Sequence, residues 1–116
     1  MNSPKRGEIW LIDWHPARGS EQAGFRPSLV LQSDMGNSND SYHNTIVVGV
    51  TTKGKDIPFH VLIESNSENG LYEKSFVKCE QILTVSKKRL VKRIGKVNNE
   101  VLDKVEVGVK LALSFD

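Results

Sequence analysis

The 116 residues are enough for one domain with a single modest core, and we expect residues 1–116 to form it. Hydrophobic residues at 38% and charged residues at 26% are typical of a globular protein rather than a disordered or membrane-embedded one, and the formal net charge of +2 permits contact with RNA without requiring it. The apolar runs are far shorter than the roughly 20 residues of a membrane-spanning helix, and no signal peptide is evident, so we expect a cytoplasmic protein without membrane contact.

Short strand-like runs, separated by Gly, Asn, Ser and Pro, dominate the chain and are typical of an all-β protein. A polar, glycine-bearing loop at residues 17–25 follows the first run, and a long exposed loop is expected at residues 33–43. Around seven short strands in so few residues predict a closed or nearly closed barrel. The predicted strands are residues 8–14, 28–32, 45–51, 60–63, 75–78, 82–85 and 93–97.

The C-terminal segment has a different period. Its apolar residues recur at spacings of three, four and one, which places them along one face of a helix. Asn98 or Asn99 can cap this helix, and Ser86 can cap a separate single turn through Leu90. The apolar positions are Val101, Leu102, Val105, Val109, Ala112 and Leu113.

Reactive residues are densest in the loop from Arg18 to Pro27, where two glycines allow unusual backbone angles and close approach of a ligand. The alternative interpretation is that Arg26 and Glu21 form an ordinary ion pair on the surface. The basic cluster Lys87-Lys88-Arg89 is, taken alone, best interpreted as a solvated face.

Cysteine and histidine give little sign of chemistry elsewhere in the chain. Cys79 is the single cysteine, which suits a reducing compartment, and we interpret it as a half-buried strand residue rather than a nucleophile. The three histidines, His15, His43 and His60, are scattered without metal-ligand spacing, so no metal and no cofactor is expected.

Five motifs occur in an order and at spacings that resemble the MazF/PemK toxin family, and the resemblance covers nearly the whole chain. They are Arg6-Gly7-Glu8-Ile9-Trp10, Gly19-Ser20-Glu21-Gln22-Ala23-Gly24-Phe25-Arg26-Pro27, Gln32-Ser33-Asp34 with Asn37, Val50-Thr51-Thr52, and Glu80-Gln81-Ile82 with Arg89-Leu90.

The resemblance implies an SH3-like β-barrel with a terminal helix, assembled as a homodimer and bound by a partner antitoxin. It implies an endoribonuclease that cuts single-stranded RNA at short sequence motifs without a metal. By motif position, Arg26 and Thr51 correspond to the family's principal catalytic residues, and Glu21 belongs to the same site. Predicted RNA-binding residues are Arg18, Gly19, Ser20, Gln22, Lys53 and Gln81.

The chemistry suits those residues. When the ribose 2′-hydroxyl attacks its own phosphate, it leaves a 2′,3′-cyclic phosphate and a 5′-hydroxyl, and the reaction needs a proton acceptor, a proton donor and donors for the developing dianion. Arg26 offers a planar set of donors and Thr51 a hydroxyl. The acceptor stays open between Glu21 and an unusual use of Arg26, with His15 as a third possibility.

Two positions depart from the family pattern. His15 stands before Pro16 where an acidic residue is more frequent, and Leu83 follows Gln81-Ile82 where a basic residue is frequent. Either can change RNA sequence preference, so no cleavage motif is transferred to this chain.

Two alternatives come from other functional classes. One is a gyrase-poisoning toxin, which resembles this family in its barrel and uses a tryptophan near the C-terminus; here Trp10 and Trp14 lie at the other end. The other is a catalytically silent barrel that binds RNA or protein. A groove lined by Arg18, Arg26, Lys53 and Lys55 would also attract an acidic antitoxin segment, which predicts competition between antitoxin and RNA.

Overall fold

The computed structural model describes residues 3–15 and 24–115. The described part is mainly β with a C-terminal α-helix, as the sequence predicts. Its strands are β1 (Glu8–Asp13), β2 (Phe25–Val30), β3 (Asn44–Thr51), β4 (His60–Ile63), β5 (Ser75–Ser86) and β6 (Leu90–Lys96). Its helices are the short α1 (Asp34–Asn37), a 3-10 turn (Lys87–Arg89) and the long α2 (Asn99–Leu113).

All strand pairs are antiparallel and form one sheet in the order β4-β5-β3-β2-β1-β6. The described residues contain six strands where seven were expected, because the runs at 75–78 and 82–85 are one strand, β5. The two runs are continuous through a register shift in the pairing with β3. Val48 of β3 pairs with Ile82, whereas the next residue, Gly49, pairs with Lys78. The extra residues bulge out, so β5 bends without ending.

The sheet does not close into the expected barrel through strand pairing, since no β4–β6 ladder occurs among the described residues. The loop between β4 and β5 lies across that gap instead. Lys96 at the end of β6 donates its backbone N–H to the Glu68 carbonyl oxygen at 3.0 Å. Gly95 permits this contact, since a Cβ there would lie 2.4 Å from the same oxygen.

Alternate residues along the strands face opposite sides of the sheet, and each side carries its own apolar cluster. Helix α2 covers one cluster, and its Gly108 approaches β5 so closely that a Cβ would lie 2.6 Å from the Cys79 sulfur. The α2 side contains Ile9, Leu29, Val48, Val50, Val61, Ile63, Val77, Cys79, Val97 and Val105. The other side contains Trp10, Ile12, Val30, Val47, Val85 and Leu90.

The predicted local caps form. The Asn98 side chain accepts the Val101 N–H at 2.9 Å and begins α2, and the Ser86 side chain accepts the Lys88 N–H at the 3-10 turn. Such side-chain acceptors satisfy N–H groups that have no partner within the helix. No helix in the described ranges is long and apolar enough to span a bilayer.

The segment after β2 is not the long exposed loop that its composition predicts, because it contains α1 and the buried Asn37 and is anchored by a buried lysine. Lys87 is 1% exposed, and its ammonium donates to the carbonyl oxygens of Gly36 and Asn37 at 3.0 Å and of Asn39 at 3.2 Å. The interpretation of the Lys87-Lys88-Arg89 cluster as a solvated face is therefore wrong for Lys87.

Candidate functional site

A groove of about 510 Å³ opens on the sheet face away from α2; we call it the sheet groove. Strands β2, β3 and β5 form its floor and walls. Its described lining residues are Trp14, Arg26, Pro27, Ser28, Gly49, Val50, Thr51, Lys78, Gln81, Leu83, Thr84, Val85, Ser86 and Arg89.

Two of the predicted catalytic residues, Arg26 and Thr51, both line the sheet groove. Ser28 of β2 pairs with Gly49 of β3, and the strands are antiparallel. Arg26 lies two residues from Ser28 on β2, and Thr51 lies two residues from Gly49 on β3, so strand alternation puts both side chains on the same face of the sheet. Arg26 is exposed and Thr51 is half-buried.

The Thr51 hydroxyl has a defined acceptor role within the fold. Its oxygen accepts the backbone N–H of Lys53 at 3.1 Å. A hydroxyl that accepts one hydrogen bond still carries its own proton for donation. Thr51 is therefore arranged to donate to an oxygen of a ligand in the sheet groove.

Gln81, a predicted RNA-binding residue, is brought into the same groove by the bulge in β5. Its side chain lies across Gly49, where a Cβ would be 1.8 Å from the Gln81 Oε1 atom. Only glycine leaves room for the amide at this place. An amide group offers both a donor and an acceptor, which suits recognition of a base edge.

The described lining residues of the sheet groove include three cations, Arg26, Lys78 and Arg89, and no carboxylate. Arg89 is tethered: its Nη1 donates to the carbonyl oxygens of Asp13 at 3.0 Å and His15 at 2.6 Å. No ion pair of Arg26 or Lys78 forms within the described ranges. This excess of positive charge favours an anionic ligand such as a phosphodiester.

Lys78 and Arg89 are groove residues that sequence reasoning did not select. The alternation Val77, Lys78, Cys79 was a usable signal, because it puts Lys78 on the face opposite two core residues. Arg89 appeared within a motif but without a role. Its contact with the end of β1 depends on a distant strand, so nothing local predicts it.

The other predicted site residues have different outcomes. Lys53 and Lys55 are exposed on the loop between β3 and β4 and are not part of the groove wall. Leu83 is part of the wall. The predictions for Glu21 and for the RNA-binding residues Arg18, Gly19, Ser20 and Gln22 lie outside the described residues.

His15, considered as a third proton acceptor, pairs with Asp13 instead. Its Nδ1 lies 2.8 Å from the Asp13 carboxylate, and its ring meets Phe25 edge-on at 5.6 Å. The hydrogen bond from the His15 backbone N–H, followed by the bond from its ring, lowers the pKa of Asp13 below its usual value. The exposed His15 is outside the described groove wall.

Cys79 is fully buried rather than half-buried. Burial, with a smaller contribution from the charge of Glu80, raises the pKa of its thiol to about 11. A thiol is nucleophilic only as the thiolate, so Cys79 acts as a core residue, as predicted. Within residues 3–15 and 24–115, no three His, Cys, Asp or Glu side chains cluster as a metal site would require.

Comparison with known proteins gives the same family as the motifs. A model of the PemK-like, MazF-like toxins of type II toxin–antitoxin systems matches residues 5–113. Endoribonuclease EndoA of Bacillus subtilis (strain 168) is 37% identical over 115 residues, covering 96% of this chain and 95% of that protein.

Solved structures share the fold. MazF (Form-I) from Deinococcus radiodurans matches with a TM-score of 0.80 at 22% identity, covering 99% of this chain and 100% of that chain. An endoribonuclease in complex with its cognate antitoxin, from a Mycobacterial species, matches with a TM-score of 0.79 at 23% identity, covering 97% of each chain. The chain belongs to the PemK-like, MazF-like toxin family of type II toxin–antitoxin systems.

Proposed function

We propose that this chain is the toxin of a type II toxin–antitoxin system and acts as a sequence-specific, metal-independent endoribonuclease on single-stranded RNA in the cytoplasm. The observation that supports the proposal is that Arg26 and Thr51 line the same groove, whose described walls hold cations and no carboxylate. Family membership and the 37% identical endoribonuclease support it.

The proposed reaction is attack by the ribose 2′-hydroxyl on the adjacent phosphorus. The bond to the 5′-oxygen of the next nucleotide breaks, which leaves a 2′,3′-cyclic phosphate and a 5′-hydroxyl. The Arg26 guanidinium donates to the non-bridging oxygens as they gain charge, and the Thr51 hydroxyl donates to the same dianion. The proton acceptor takes one proton from the 2′-hydroxyl, and solvent supplies one proton to the departing 5′-oxygen, so the number of protons and the charge balance overall.

Arginine resists deprotonation because its pKa lies far above neutral pH, so we assign the proton acceptor to Glu21. This carboxylate follows Arg18, Gly19 and Ser20 in the loop that ends at Arg26. The RNA contacts are assigned to those three residues with Gln22, Lys53 and Gln81. The amide of Gln81, above Gly49, is suited to reading a base edge.

Fold and assembly are further parts of the proposal. We propose that residues 1–116 form a single SH3-like barrel in which the β4–β5 loop covers the gap between β4 and β6, as the bond from Lys96 to Glu68 supports. We also propose a homodimer, supported by the family assignment. Light scattering of the purified protein in solution would contradict the dimer if it gave the mass of one chain.

The cognate antitoxin is proposed to bind with an acidic segment that competes with RNA for the groove. Arg26, Lys53 and Lys55 are exposed and unpaired by carboxylates within the described ranges. Positive charge steers acidic peptides and RNA alike. Simultaneous binding of both with undiminished affinities would overturn this part.

The deciding experiment is incubation of the protein with a long, mixed-sequence single-stranded RNA in excess chelator, alongside Arg26→Ala and Thr51→Ala. We expect discrete cuts that end in cyclic phosphate and are abolished in both variants. Absence of cutting by well-folded wild-type protein would overturn the proposal and favour a protein-binding toxin. Cutting that persists unchanged in both variants would show that the groove is not the active site.

A further inference from the structure

His60, at the start of β4, has a buried side chain with partners at both ring nitrogens. Its side chain is 4% exposed. Nδ1 lies 3.0 Å from the backbone nitrogen of Lys55, and Nε2 lies 3.0 Å and 3.1 Å from the two carboxylate oxygens of Glu80. A ring enclosed in this way is held in one orientation.

These partners decide where the ring proton lies. A backbone N–H can only donate, so Nδ1 must be an unprotonated acceptor, and in the neutral ring Nε2 then carries the hydrogen and donates it to Glu80. Desolvation raises the pKa of Glu80, but the bond from His60 and smaller effects together lower it below its usual value. Glu80 is therefore an ionised acceptor at neutral pH.

The Lys55 N–H belongs to the loop of residues 52–59, which follows Thr51 directly; we call it the β3–β4 loop. Its first turn bonds the Lys53 N–H to the Thr51 hydroxyl. Gly54 then packs on the Phe76 ring, where a Cβ would lie 2.1 Å from the ring carbon. His60 supplies the next attachment, so the loop is held at Lys53, Gly54 and Lys55, the residues that follow Thr51 closely.

We propose that His60, oriented by Glu80, is a positioning residue that anchors the β3–β4 loop at Lys55 and thereby fixes the Thr51 hydroxyl for catalysis. The proposal rests on the proposed function. It assigns Glu80 of the Glu80-Gln81-Ile82 motif a role separate from that of Gln81, whose side chain lines the sheet groove.

Loss of the His60 anchor is expected to lower kcat much more than it changes KM. Arg26 lies on β2, which His60 does not contact, and the backbone of Lys78 is held in β5 by its pairing with Gly49 of β3, so RNA binding through their charges survives loss of the anchor. The Thr51 hydroxyl loses the fixed turn in which it accepts the Lys53 N–H. Small displacements of a catalytic group reduce turnover strongly, so kcat falls while KM changes little.

Two substitutions at one position separate the two bonds of the ring. In His60→Asn the amide oxygen takes the place of Nδ1 and accepts the Lys55 N–H, whereas the bond to Glu80 is lost. In His60→Gln the amide nitrogen takes the place of Nε2 and donates to Glu80, whereas the Lys55 N–H loses its acceptor. The readouts are kcat and KM on RNA, thermal unfolding, and the ¹H–¹⁵N resonance and hydrogen exchange of the Lys55 amide.

We expect H60Q to lower kcat about tenfold or more, with KM within about twofold and faster exchange at the Lys55 amide. H60N keeps kcat and the Lys55 protection closer to wild type. Equal loss of kcat in both variants, or an unchanged Lys55 amide in H60Q, would overturn the inference. If wild-type protein cuts no RNA, the proposed function fails, and the Lys55 amide still tests whether His60 anchors the loop.

Discussion

The Gln81 side chain lies directly over the α-carbon of Gly49, so close that a methyl group on that carbon would be 1.8 Å from Gln81 Oε1. The two residues are linked by the bulge that pairs Gly49 with Lys78 while Val48 pairs with Ile82. A glycine in the middle of a β-strand weakens the strand. Here it provides the space for a polar side chain on the groove floor.

Gly49→Ala is expected to displace the Gln81 amide from the groove floor without unfolding the sheet, because the clashing atoms are the end of a flexible side chain. Apparent RNA affinity falls about tenfold, as for Gln81→Ala, which corresponds to loss of roughly one good hydrogen-bonded contact. The measurement is RNA binding by the two single variants and the double variant.

The double variant is expected to bind RNA no more weakly than Gln81→Ala alone, since both changes remove the same contact. Additive losses would show that Gly49 acts independently of Gln81. Comparison of the sites at which wild type and Gln81→Ala cut a mixed-sequence RNA tests whether Gln81 determines the sequence preference.

Lys78→Met is expected to weaken RNA binding and to reduce the dependence of that binding on salt. Lys78 lines the sheet groove and has no ion pair in residues 3–15 and 24–115. Losing one phosphate contact lowers the slope of log K against log salt concentration by about 0.7 for single-stranded RNA. Fluorescence anisotropy across a salt series measures it.

The matched control for Lys78 is Lys96→Met, which removes an equal charge from an exposed position on β6 outside the groove wall. It is expected to leave the salt slope nearly unchanged. Equal slopes for the two variants would contradict a specific phosphate contact at Lys78.

Lys87→Met is expected to destabilise the protein by roughly 3 kcal/mol, because buried carbonyl groups lose their donor. The Lys87 ammonium donates hydrogen bonds to the carbonyl oxygens of Gly36, Asn37 and Asn39, and the residue is almost fully buried. Urea unfolding measures the change. Lys88→Met, at the exposed neighbour, should alter stability by less than about 0.5 kcal/mol, and equal effects would refute the assignment.

Acid should remove a stabilising contribution from Glu80, whose pKa in the folded protein is below its usual value of 4.5. A carboxyl with a lowered pKa contributes stability that is complete above the unfolded-state value and is lost as pH falls through the folded-state value. We expect the stability of wild type to decrease below about pH 4.5 more steeply than that of Glu80→Gln. Urea midpoints at pH values from 3 to 6 test this, and parallel curves would contradict it.

Local sequence was sufficient for features in which partners are close along the chain. The caps at Asn98 and Ser86, the helix at the C-terminus and most of the strands follow from side-chain chemistry and period within a few residues. The family resemblance placed Arg26, Thr51 and Gln81 in one site, and the described groove holds all three. The acceptor Glu21 stays a prediction.

Tertiary structure decided the features whose partners are distant in sequence. Lys87 appeared to be a solvated cation, yet it is buried because loop carbonyls about 50 residues earlier surround its ammonium. Gln81 enters the groove because a bulge in β5 shifts the register, and His60 gains Glu80 from a neighbouring strand. Composition and periodicity report which residues can be buried or exposed; which charges meet depends on strand order, register and bulges, and only the folded chain sets these.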